Sequence, residues 1–437
     1  MRPAQAAGRH RPDLVLPYAR CAYAPNSNTC VRVMDPEVAM GRTAIVTGGG
    51  IGGLAVTIGL LRSGWQVTVF ERAEEFRPVG AGLALAPNAV RALDWLGLGD
   101  RLRAAGTAQG GAGLRTSSGH WLMRAHLAEF EARFGVPGFA LHRTDVHRML
   151  LEAAAGAKLM RGYEVTSVHS RPDAATVTCE SPSGPVTATA DLVVVADGLH
   201  SRLRGSLYPR HPGPRYAGYV TWRNVVPAEA GVHVETGLTE SWGRGKRFGI
   251  VPLPDGRVYW YASVSLPEGA RRDAELADLA RLFRDWHAPI PELLDASPPK
   301  NLLRHDIYSL TEPLPRYVAG RVALLGDAAH AVTPDLGQGA CQALEDAVTL
   351  AGLVVRTPDI DAALAAYDHI RRPRTQRLVR VSALAGRIGQ WRNPFLAAAR
   401  DTLAQLVPAR GYLRAISHTL SWQPSPQWPA PTTLPQG

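Results

Sequence analysis

The chain contains few cysteines, few lysines and no long apolar run. None of its four cysteines lies in a C-x-x-C pair, which argues against a structural zinc site and thioredoxin-type redox chemistry. A disulfide scaffold is not expected at a length of 437 residues. No run of about 20 apolar residues is present, so the sequence predicts no membrane-spanning helix. Residues 1–40 also lack the apolar core of a secretory signal, and a cytoplasmic location is therefore predicted.

The charge is strongly biased toward arginine. Lys and Arg number 48 against 38 Asp and Glu, for a net charge of +10, and only three of the 48 are lysines. Nucleic-acid-binding proteins typically gather such charge into a stripe or a tail, whereas these arginines are scattered, so no nucleic-acid partner is predicted. The bias reflects either a coding preference for Arg over Lys or an affinity for anions such as phosphate-bearing cofactors.

Length and composition indicate a folded protein with several domains. Hydrophobic residues make up 46% and charged residues 20% of the chain. At about 100–200 residues per domain, two or three domains are expected. Residues 1–40 are rich in Pro, Arg and Ala and are predicted to form a disordered leader. Met34 and Met40 lie just before the first predicted strand and are therefore candidates for the start of translation.

A strand–turn–helix–strand unit begins directly after this leader. Thr43–Thr47 (TAIVT) is a short apolar run typical of a buried parallel strand, and the turn GGGIGG follows at residues 48–53. An apolar helix is predicted over residues 54–62, and a second strand, Gln66–Phe70, ends at Glu71. The connection between the two parallel strands is expected to be right-handed.

The turn satisfies the pattern G-x-G-x-x-G through Gly48, Gly50 and Gly53. In this pattern the first glycine permits a tight turn, the second lets a pyrophosphate approach the backbone, and the third lets helix and strand pack closely. The helix N-terminus offers free N–H groups and a partial positive charge to the phosphates. Glu71, at the tip of the second strand, can accept hydrogen bonds from a ribose. Together these features predict dinucleotide binding, without distinguishing NAD from FAD.

Two further buried strands each end near an acidic residue. Asp191–Ala196 runs into Asp197, and Arg321–Leu325 runs into Gly326 and Asp327. Between them, residues 216–261 hold eight aromatic residues and alternating runs that are typical of antiparallel strands. The sequence therefore predicts an α/β fold in which a Rossmann-like domain with a parallel sheet is interrupted by a β-rich domain and followed by C-terminal helices.

Four segments, taken in order, resemble one known family. They are GAGLALAPNAVRALDWLGL at 80–98, LHRTDVHRMLLEAA at 141–154, DLVVVADGLHSRLR at 191–204 and GDAAHAVTPDLGQGACQALEDA at 326–347. Across about residues 43–395 the chain is similar to the single-component FAD-dependent aromatic hydroxylases of the para-hydroxybenzoate hydroxylase type. The resemblance implies FAD as the dinucleotide and a β-rich substrate domain.

The resemblance also implies roles for individual residues. The glycine turn would hold the FAD pyrophosphate and Glu71 the adenosine ribose. Arg143 would contact the flavin, and Asp327 would bind the ribityl chain or the pyrophosphate. Pro334 would lie over the active-site side of the ring, with the next helix N-terminus at its pyrimidine edge, where it stabilises the negative charge of reduced flavin. The residues implied at the cofactor are Gly48, Gly50, Gly52, Gly53, Glu71, Arg72, Arg143, Asp197, Asp327, Pro334, Gly337, Gln338, Gly339 and Ala340.

The implied reaction uses NAD(P)H and O2 to hydroxylate, or epoxidise, an aromatic or polycyclic small molecule through a flavin hydroperoxide. It requires no metal, and the sequence contains no evident cluster of metal ligands. No second Rossmann unit for the nicotinamide is evident, so NADH and NADPH remain alternatives, as do a monomer and a homodimer. The alternative functions are an FAD-dependent oxidase or reductase without oxygen insertion, and a non-catalytic flavin-binding module.

One predicted strand of the β-rich domain carries the candidate catalytic residues. Tyr219, Thr221 and Arg223 alternate along it and therefore share one face. If that face lines the cavity, Arg223 can orient an anionic or phenolic substrate, and Tyr219 can assist proton removal. If the face is turned to solvent, Arg223 is only a surface cation.

The positions of these motifs predict an FAD-binding domain built from three separate stretches of chain, with substrate-domain segments inserted between them. In chain order the predicted segments are the leader at 1–40, a first FAD-binding segment at 41–112, a substrate-domain contribution at 113–139, a second FAD-binding segment at 140–210, the β-rich substrate domain at 211–302, a third FAD-binding segment at 303–395, and a C-terminal helix and tail at 396–437.

Overall fold

A computed structural model describes residues 19–23, 30–34, 41–76, 81–109, 111–270 and 275–428. Its strands are β1 (Ala19–Tyr23), β2 (Cys30–Met34), β3 (Thr43–Thr47), β4 (Gln66–Glu71), β5 (Gly82–Leu85), β6 (Thr107–Gln109), β7 (Ala112–Thr116), β8 (Trp121–Ala125), β9 (Gly138–His142), β10 (Lys158–Arg161), β11 (Glu164–Ser170), β12 (Ala175–Glu180), β13 (Val186–Ala190), β14 (Leu192–Val195), β15 (Arg215–Val226), β16 (Leu238–Trp242), β17 (Lys246–Pro252), β18 (Val258–Ser265), β19 (Leu303–Ser309), β20 (Val318–Ala319) and β21 (Val322–Leu324). Its helices are α1 (Ile51–Leu61), α2 (Pro87–Trp95), α3 (Gly99–Ala105), α4 (Leu127–Phe134), α5 (Arg143–Ala153), α6 (Arg202–Leu207), α7 (Glu275–Phe283), α8 (Ile290–Asp295), α9 (Asp327–His330), α10 (Gly339–Arg356), α11 (Ile360–Gly389), α12 (Pro394–Leu406) and α13 (Ala409–Leu420).

A six-stranded sheet carries the predicted dinucleotide unit. Its order is β10–β4–β3–β14–β21–β20, and all its pairs are parallel except the one between β20 and β21. The central strands β3, β14 and β21 are short and almost entirely apolar, as expected for parallel strands covered on both faces. Their carboxyl ends meet at one edge, which brings the turns that follow them together. The predicted α/β class is confirmed.

Helices α1 and α10 pack against each other beside this sheet. Their close approach depends on glycine, because a Cβ at Gly52 would lie 3.1 Å from that of Ala343, and one at Gly59 would lie 2.6 Å from that of Ala351. From the first contact to the second, the residue number rises in both helices, so the two helices run in the same direction. Both N-termini therefore lie near the carboxyl edge of the sheet, where they can act on one ligand.

A seven-stranded sheet forms the β-rich region of the molecule. Its order is β19–β15–β18–β17–β16–β7–β8, with all pairs antiparallel except β16 with β7. The short segment predicted at 113–139 supplies most of β7 and all of β8, and the segment predicted at 211–302 supplies β15 to β18. The sheet also gains β19, which lies beyond the expected boundary because residues 303–305 pair with Thr221–Arg223 of β15.

The two faces of this sheet pack against different partners. On one face, aromatic rings form a separate core with α7 and α8, in which Phe248 stacks on Trp260 at 5.3 Å between ring centroids. On the other face, Tyr259 closely approaches Gly82 of β5, in the small sheet β5–β9–β6. The second face is therefore turned toward the segments that carry the predicted cofactor residues.

The prediction of a disordered leader is wrong for ten residues, which form β1 and β2. β1 and β2 pair with each other, and β2 pairs in parallel with β13, which extends a five-stranded sheet of order β1–β2–β13–β12–β11. An edge strand exposes unpaired backbone groups that a further strand can satisfy, and the CVRVM sequence of β2 is rich in β-branched residues. The rest of segment 1–40 lies outside the described residues.

The C-terminal region is helical, as predicted, but the last segment contains one helix more than expected. α11 extends over 30 residues, and two helices, α12 and α13, follow where a single helix and a tail were expected. Residues 429–437 lie outside the described range.

Among the described residues, no helix combines the length and apolar character required to cross a bilayer.

The packing of α10 predicts that shortening the side chain of Leu344, which is fully buried in the main core, strongly lowers stability. Leu344→Ala should lower the free energy of unfolding by about 2–5 kcal/mol, because it removes apolar contacts and leaves a cavity. Leu127→Ala, at an exposed site on α4, should change it by less than about 0.5 kcal/mol. Urea denaturation of both variants measures the difference, and equal midpoints would contradict the described packing.

Candidate active site

The glycine turn between β3 and α1 has the shape required to receive a ligand. Gly48 has φ +103°, and a Cβ there would clash with the carbonyl oxygen of Ala196. A Cβ at Gly53 would clash with the carbonyl oxygen of Gly48, so this glycine serves close packing. A Cβ at Gly50, in contrast, would meet no atom within 4 Å. The backbone at Gly50 therefore borders open space beside the N-terminus of α1, which suits a pyrophosphate.

Gly52 and Glu71 hold this turn in place. A Cβ at Gly52 would lie 2.6 Å from a side-chain carbon of Leu325, so the absence of a side chain serves helix packing. The Glu71 carboxylate accepts a hydrogen bond from the backbone N–H of Gly49 at 2.7 Å and another from Ala73 at 2.9 Å. Glu71 lies at the tip of β4, the position predicted for a ribose contact, and Arg72 beside it is exposed.

Asp197 lies in the turn after β14, and Arg204 connects this turn to the one after β21. Oδ1 of Asp197 is buried and has no hydrogen-bond partner among the described residues. Burial raises the pKa of this carboxyl. The buried Arg204 guanidinium donates to the carbonyl oxygen of Leu199 at 2.8 Å and to that of Ala328 at 3.2 Å. An unpaired buried carboxylate oxygen is costly, and it is what a site for a hydroxyl-rich ligand would supply.

Asp327 and Arg143 lie on the wall of an open cleft. Both side chains are accessible to solvent, although protein surrounds them on most sides. Burial raises the pKa of Asp327, whereas His330 and Arg143 oppose that rise. Burial also lowers the pKa of the Arg143 guanidinium, and Asp327 partly restores it. Side chains that are accessible to solvent and yet surrounded by protein indicate a concave surface. The negative charge of Asp327 and the positive charge of Arg143 interact at this surface.

The N-terminus of α10 borders the same cleft. Pro334 begins a short 3₁₀ turn and is exposed, and the exposed Gly337 has φ +63° with open space beside its Cα. The side chain of Gln338 is buried and points into the protein, so only its backbone is available to a ligand. Gly339 and Ala340 follow in the first turn of α10, whose free N–H groups carry a partial positive charge.

Asp346 ties α10 to the turn that carries Asp327. One oxygen of its carboxylate accepts from the backbone N–H of Gly326 at 2.9 Å and contacts Nε2 of His330 at 2.5 Å. The other oxygen accepts from Nε of Arg371 at 2.6 Å. Burial would raise the pKa of Asp346, but the charges of His330 and Arg371 outweigh it and lower the pKa to about 2. His330 therefore has a structural partner.

Glu345 extends this buried network to the first turn of α2. Its carboxylate accepts from Arg371 at 2.5 Å, from Arg374 at 2.8 Å and from the amide of Asn88 at 2.6 Å. Asn88 lies in the first turn of α2, and its amide also donates to the side chain of Gln338 at 2.9 Å. One ionic network thus fixes three segments that border the cleft.

A second buried cluster fastens the loop of Pro334 to the seven-stranded sheet. Asp335 accepts from the phenol of Tyr219 at 2.8 Å and pairs with Arg247 at 2.5 Å, and Arg247 lies 3.4 Å from Glu240. Although burial opposes ionisation of Arg247, Glu240 and Asp335 raise its pKa. Burial and the charge of Asp335 raise the pKa of Tyr219, so this phenol keeps its proton at neutral pH. The geometry favours loop fixation by Tyr219 over proton removal.

Arg223 lies farther along the same face of β15. Tyr219 and Thr221 are only 2% and 1% exposed, so this portion of the face is not turned to solvent. Arg223 is half-buried, and its guanidinium lies 3.3 Å from Nδ1 of His305. Burial and the charges of Arg223 and Arg143 lower the pKa of His305 to about 4. The wall that carries Asp327 and Arg143 is named here the cofactor wall, after its predicted role. It contributes Arg143 and the β-rich sheet contributes Arg223 to one electropositive region, in which His305 contacts Arg223.

Several site residues escape sequence reasoning. Arg247 and Glu240 lie on β17 and β16, which form a hairpin, whereas His305 lies on β19, which pairs with the distant β15. No local motif marks any of the three. Asp335 stands inside a recognised motif, but its partners come from the sheet. The buried Cys341 has a pKa raised to about 12 by burial, which fits a packing role rather than a reactive thiol.

Comparison with known proteins finds one family and many relatives. The family described as FAD binding domain matches residues 42–382. The aurachin C monooxygenase/isomerase of Stigmatella aurantiaca is 37% identical over 369 residues, covering 84% of this chain and 94% of the relative. The 2-heptyl-3-hydroxy-4(1H)-quinolone synthase of Pseudomonas aeruginosa is 33% identical over 373 residues, with the same two coverages of 84% and 94%.

A solved structure agrees with this assignment. Klebsiella pneumoniae HpxO, complexed with FAD and uric acid, superimposes with a TM-score of 0.80 at 33% sequence identity. The superposition covers 87% of this chain and 96% of that chain. The two proteins therefore share their fold over most of both chains.

The surroundings of Gly50 and Gly53 predict different effects of substitution by alanine. Gly50→Ala should fold with unchanged stability but weaken FAD binding by about tenfold or more, because its methyl group enters the open space beside α1. Gly53→Ala should instead lower the free energy of unfolding by about 1–3 kcal/mol through a backbone clash. Urea unfolding of the FAD-free chains and FAD titration separate the two effects. Identical behaviour of the two variants would refute this geometry.

The buried network predicts that Arg371 is far more important to stability than its neighbour. Arg371→Met should lower the free energy of unfolding by about 3–5 kcal/mol, because it removes the buried guanidinium that two buried carboxylates share. Arg372→Met removes a partly exposed pair with Asp368 and should cost at most about 1 kcal/mol. Denaturant unfolding checks both values, and a small loss at Arg371 would count against the network.

Proposed function

This chain belongs to the FAD binding domain family of FAD-dependent aromatic hydroxylases, and we propose that it hydroxylates a planar aromatic or heteroaromatic substrate bound as an anion. It is an FAD-dependent monooxygenase with NAD(P)H as co-substrate. The observation that carries the proposed substrate class is the group formed by Arg143, Arg223 and His305, which joins the cofactor wall to the β-rich sheet.

The residues around the cleft fit FAD. The open space at Gly50 suits the pyrophosphate, the tip of β4 at Glu71 suits the adenosine ribose, and the unpaired oxygen of Asp197 and the accessible Asp327 suit hydroxyl-rich regions of the cofactor. The N-terminus of α10 suits the electron-rich pyrimidine edge. Bound FAD supplies the redox and oxygen-transfer chemistry.

Two guanidinium groups supply the attraction for an anionic substrate. Neither Arg143 nor Arg223 forms an ion pair within 4.0 Å among the described residues, so both remain able to pair with a ligand. Guanidinium groups bind carboxylates and enolates through paired hydrogen bonds, which also fix the orientation of the bound anion. An electron-rich anion positioned in this way is a good acceptor of an electrophilic oxygen.

His305 orients the guanidinium rather than acting as a base. With a pKa of about 4 it is neutral at pH 7, so its Nδ1 can accept a hydrogen bond from Arg223. A group with so low a pKa is a poor proton acceptor near neutrality. The proton of the substrate is therefore expected to leave in response to the positive charge of Arg223 and Arg143.

Asp335 positions the loop opposite these groups. Its ion pair with Arg247 and its hydrogen bond from Tyr219 fix the segment that carries Pro334 and Gly337. Buried, mutually compensated charges hold a single geometry more strictly than apolar contacts do. We assign Tyr219, Arg247 and Asp335 to positioning, and Arg223 to substrate binding.

The chemistry of the relatives' ligands fits this proposal. Uric acid and a 4-quinolone are both planar nitrogen heterocycles with acidic N–H or O–H groups, and these are the compounds named for HpxO and for the quinolone synthase. The direct test measures NADH and NADPH oxidation by the FAD-loaded protein with urate, 2-alkyl-4-quinolones and hydroxybenzoates. The proposal expects one compound to accelerate oxidation and to gain one atom from ¹⁸O-labelled O2. Acceleration with only hydrogen peroxide as product would favour the oxidase alternative.

The role of Arg223 gives a second prediction. Arg223→Met should raise the KM for the accepted substrate by about ten- to a hundredfold, with FAD retained, because one charge-assisted contact is lost. Arg215→Met, at an exposed position of the same strand, should leave KM unchanged. Steady-state kinetics of the two variants measure KM. An unchanged KM in Arg223→Met would show that Arg223 does not bind the substrate.

A further inference from the structure

Helix α12 turns an apolar stripe away from the protein. Phe395, Leu396, Leu403 and Leu406 are 83%, 47%, 64% and 72% exposed, respectively. At about 100° per residue, these side chains and Ala399 fall within about 100° of arc on one side of the helix. A stripe of that width normally faces a core, and large apolar side chains exposed together mark an interaction surface.

The other side of α12 attaches the helix firmly to the protein. Ala397 and Arg400 are buried. The Arg400 guanidinium donates to the carbonyl oxygen of Gly389 at 3.1 Å, at the end of α11, and lies 4.9 Å from the ring centre of Trp242. The outward stripe is therefore held in a fixed position on the surface rather than presented by a loose segment.

Arginines that lack an ion-pair partner among the described residues precede and follow this stripe in the chain. Residues 376–420 contain seven arginines and a single acidic residue, Asp401, which pairs with Arg400. The other six arginines of this segment are exposed and form no ion pair among the described residues: Arg377, Arg380, Arg387, Arg392, Arg410 and Arg414. Two further exposed apolar side chains, Val381 and Leu384, lie on the adjoining portion of α11.

We propose that α12 and its flanking arginines, defined here as the α12 surface, bind the face of an anionic phospholipid bilayer. Phe and Leu side chains would enter the boundary between headgroups and acyl chains, and the arginines would pair with lipid phosphates. Apolar burial and cationic attraction are the two contributions that together give stable peripheral binding. The inference is independent of the substrate class proposed above.

Charge makes a second copy of this chain a poor occupant of the same surface. A two-fold symmetric contact brings the same patch of both copies together. Such a contact would bring together two copies of a segment that carries seven arginines and one acidic residue, and like charges repel in a desolvated interface. A bilayer containing anionic lipids offers instead a continuous field of opposite charge.

The test is flotation of the FAD-loaded full chain with lipid vesicles. Vesicles of phosphatidylcholine alone and vesicles containing roughly one third phosphatidylglycerol are compared at low and at high salt. Flotation is preferred to sedimentation because aggregated protein does not rise with lipid. We expect binding to the anionic vesicles only, and its loss at high salt, because screening weakens attraction between exposed charges. An absence of flotation with anionic vesicles would overturn the proposal.

Matched variants show whether the α12 surface is responsible. Arg410→Gln with Arg414→Gln should lower the partition coefficient by about thirtyfold, from the loss of two cationic contacts. Leu403→Gln with Leu406→Gln should lower it by about tenfold or more. The controls, Arg210→Gln and Leu127→Gln, change exposed residues elsewhere and should bind normally. All four proteins should keep NAD(P)H oxidation, which verifies folding.

Two results would contradict this inference without touching the proposed function. One is equal vesicle binding by the α12 variants and the controls, which would place the lipid contact elsewhere. The other is a dimer in analytical ultracentrifugation that dissociates in Leu403→Gln with Leu406→Gln while vesicle binding is absent, which would identify a second copy as the occupant. A failure of the monooxygenase assay would leave both measurements interpretable.

Discussion

The buried carboxylate of Asp346 joins the elements on which the cofactor cleft depends. It binds the turn before Asp327, it holds His330, and it shares Arg371 with Glu345. Glu345 continues the chain of contacts to Asn88 and so to the N-terminus of α10. Buried charges are stable only when each is paired and hydrogen-bonded, so these segments cannot shift independently without leaving a charge unsatisfied.

A second charged cluster performs the same task for the β-rich sheet. Asp335 belongs to the loop of Pro334, whereas Tyr219 and Arg247 belong to the sheet. The two halves of the molecule are therefore aligned at the loop that the family places over the flavin. This alignment brings Arg223 of the sheet near Arg143 of the cofactor wall, and it makes a single cleft out of two separate sheets.

Local patterns were sufficient to locate the strands, turns and helix that carry the predicted cofactor residues. The glycine turn, the strand ends and the first turn of α10 are each encoded within a few consecutive residues, and family resemblance supplied FAD. The partners of Asp335 could not be predicted, because Tyr219 lies 116 residues and Arg247 88 residues before it in the chain, and no short motif records so distant a contact. β2 was missed for the same reason, since its partner β13 lies about 150 residues away. The excess of arginine was noticed in the sequence, but its unpaired cluster near α12 emerges only from the structure.

One cleft, framed by the glycine turn, Asp327 and the N-terminus of α10, is expected to bind a single FAD. Titration of the FAD-free chain with FAD, followed by flavin fluorescence and calorimetry, measures this binding. We expect saturable binding of one FAD per chain, with competition by ADP, which reproduces the adenosine diphosphate part of FAD. A chain that folds, as judged by circular dichroism, yet shows no saturable FAD binding would refute the assignment of this cleft.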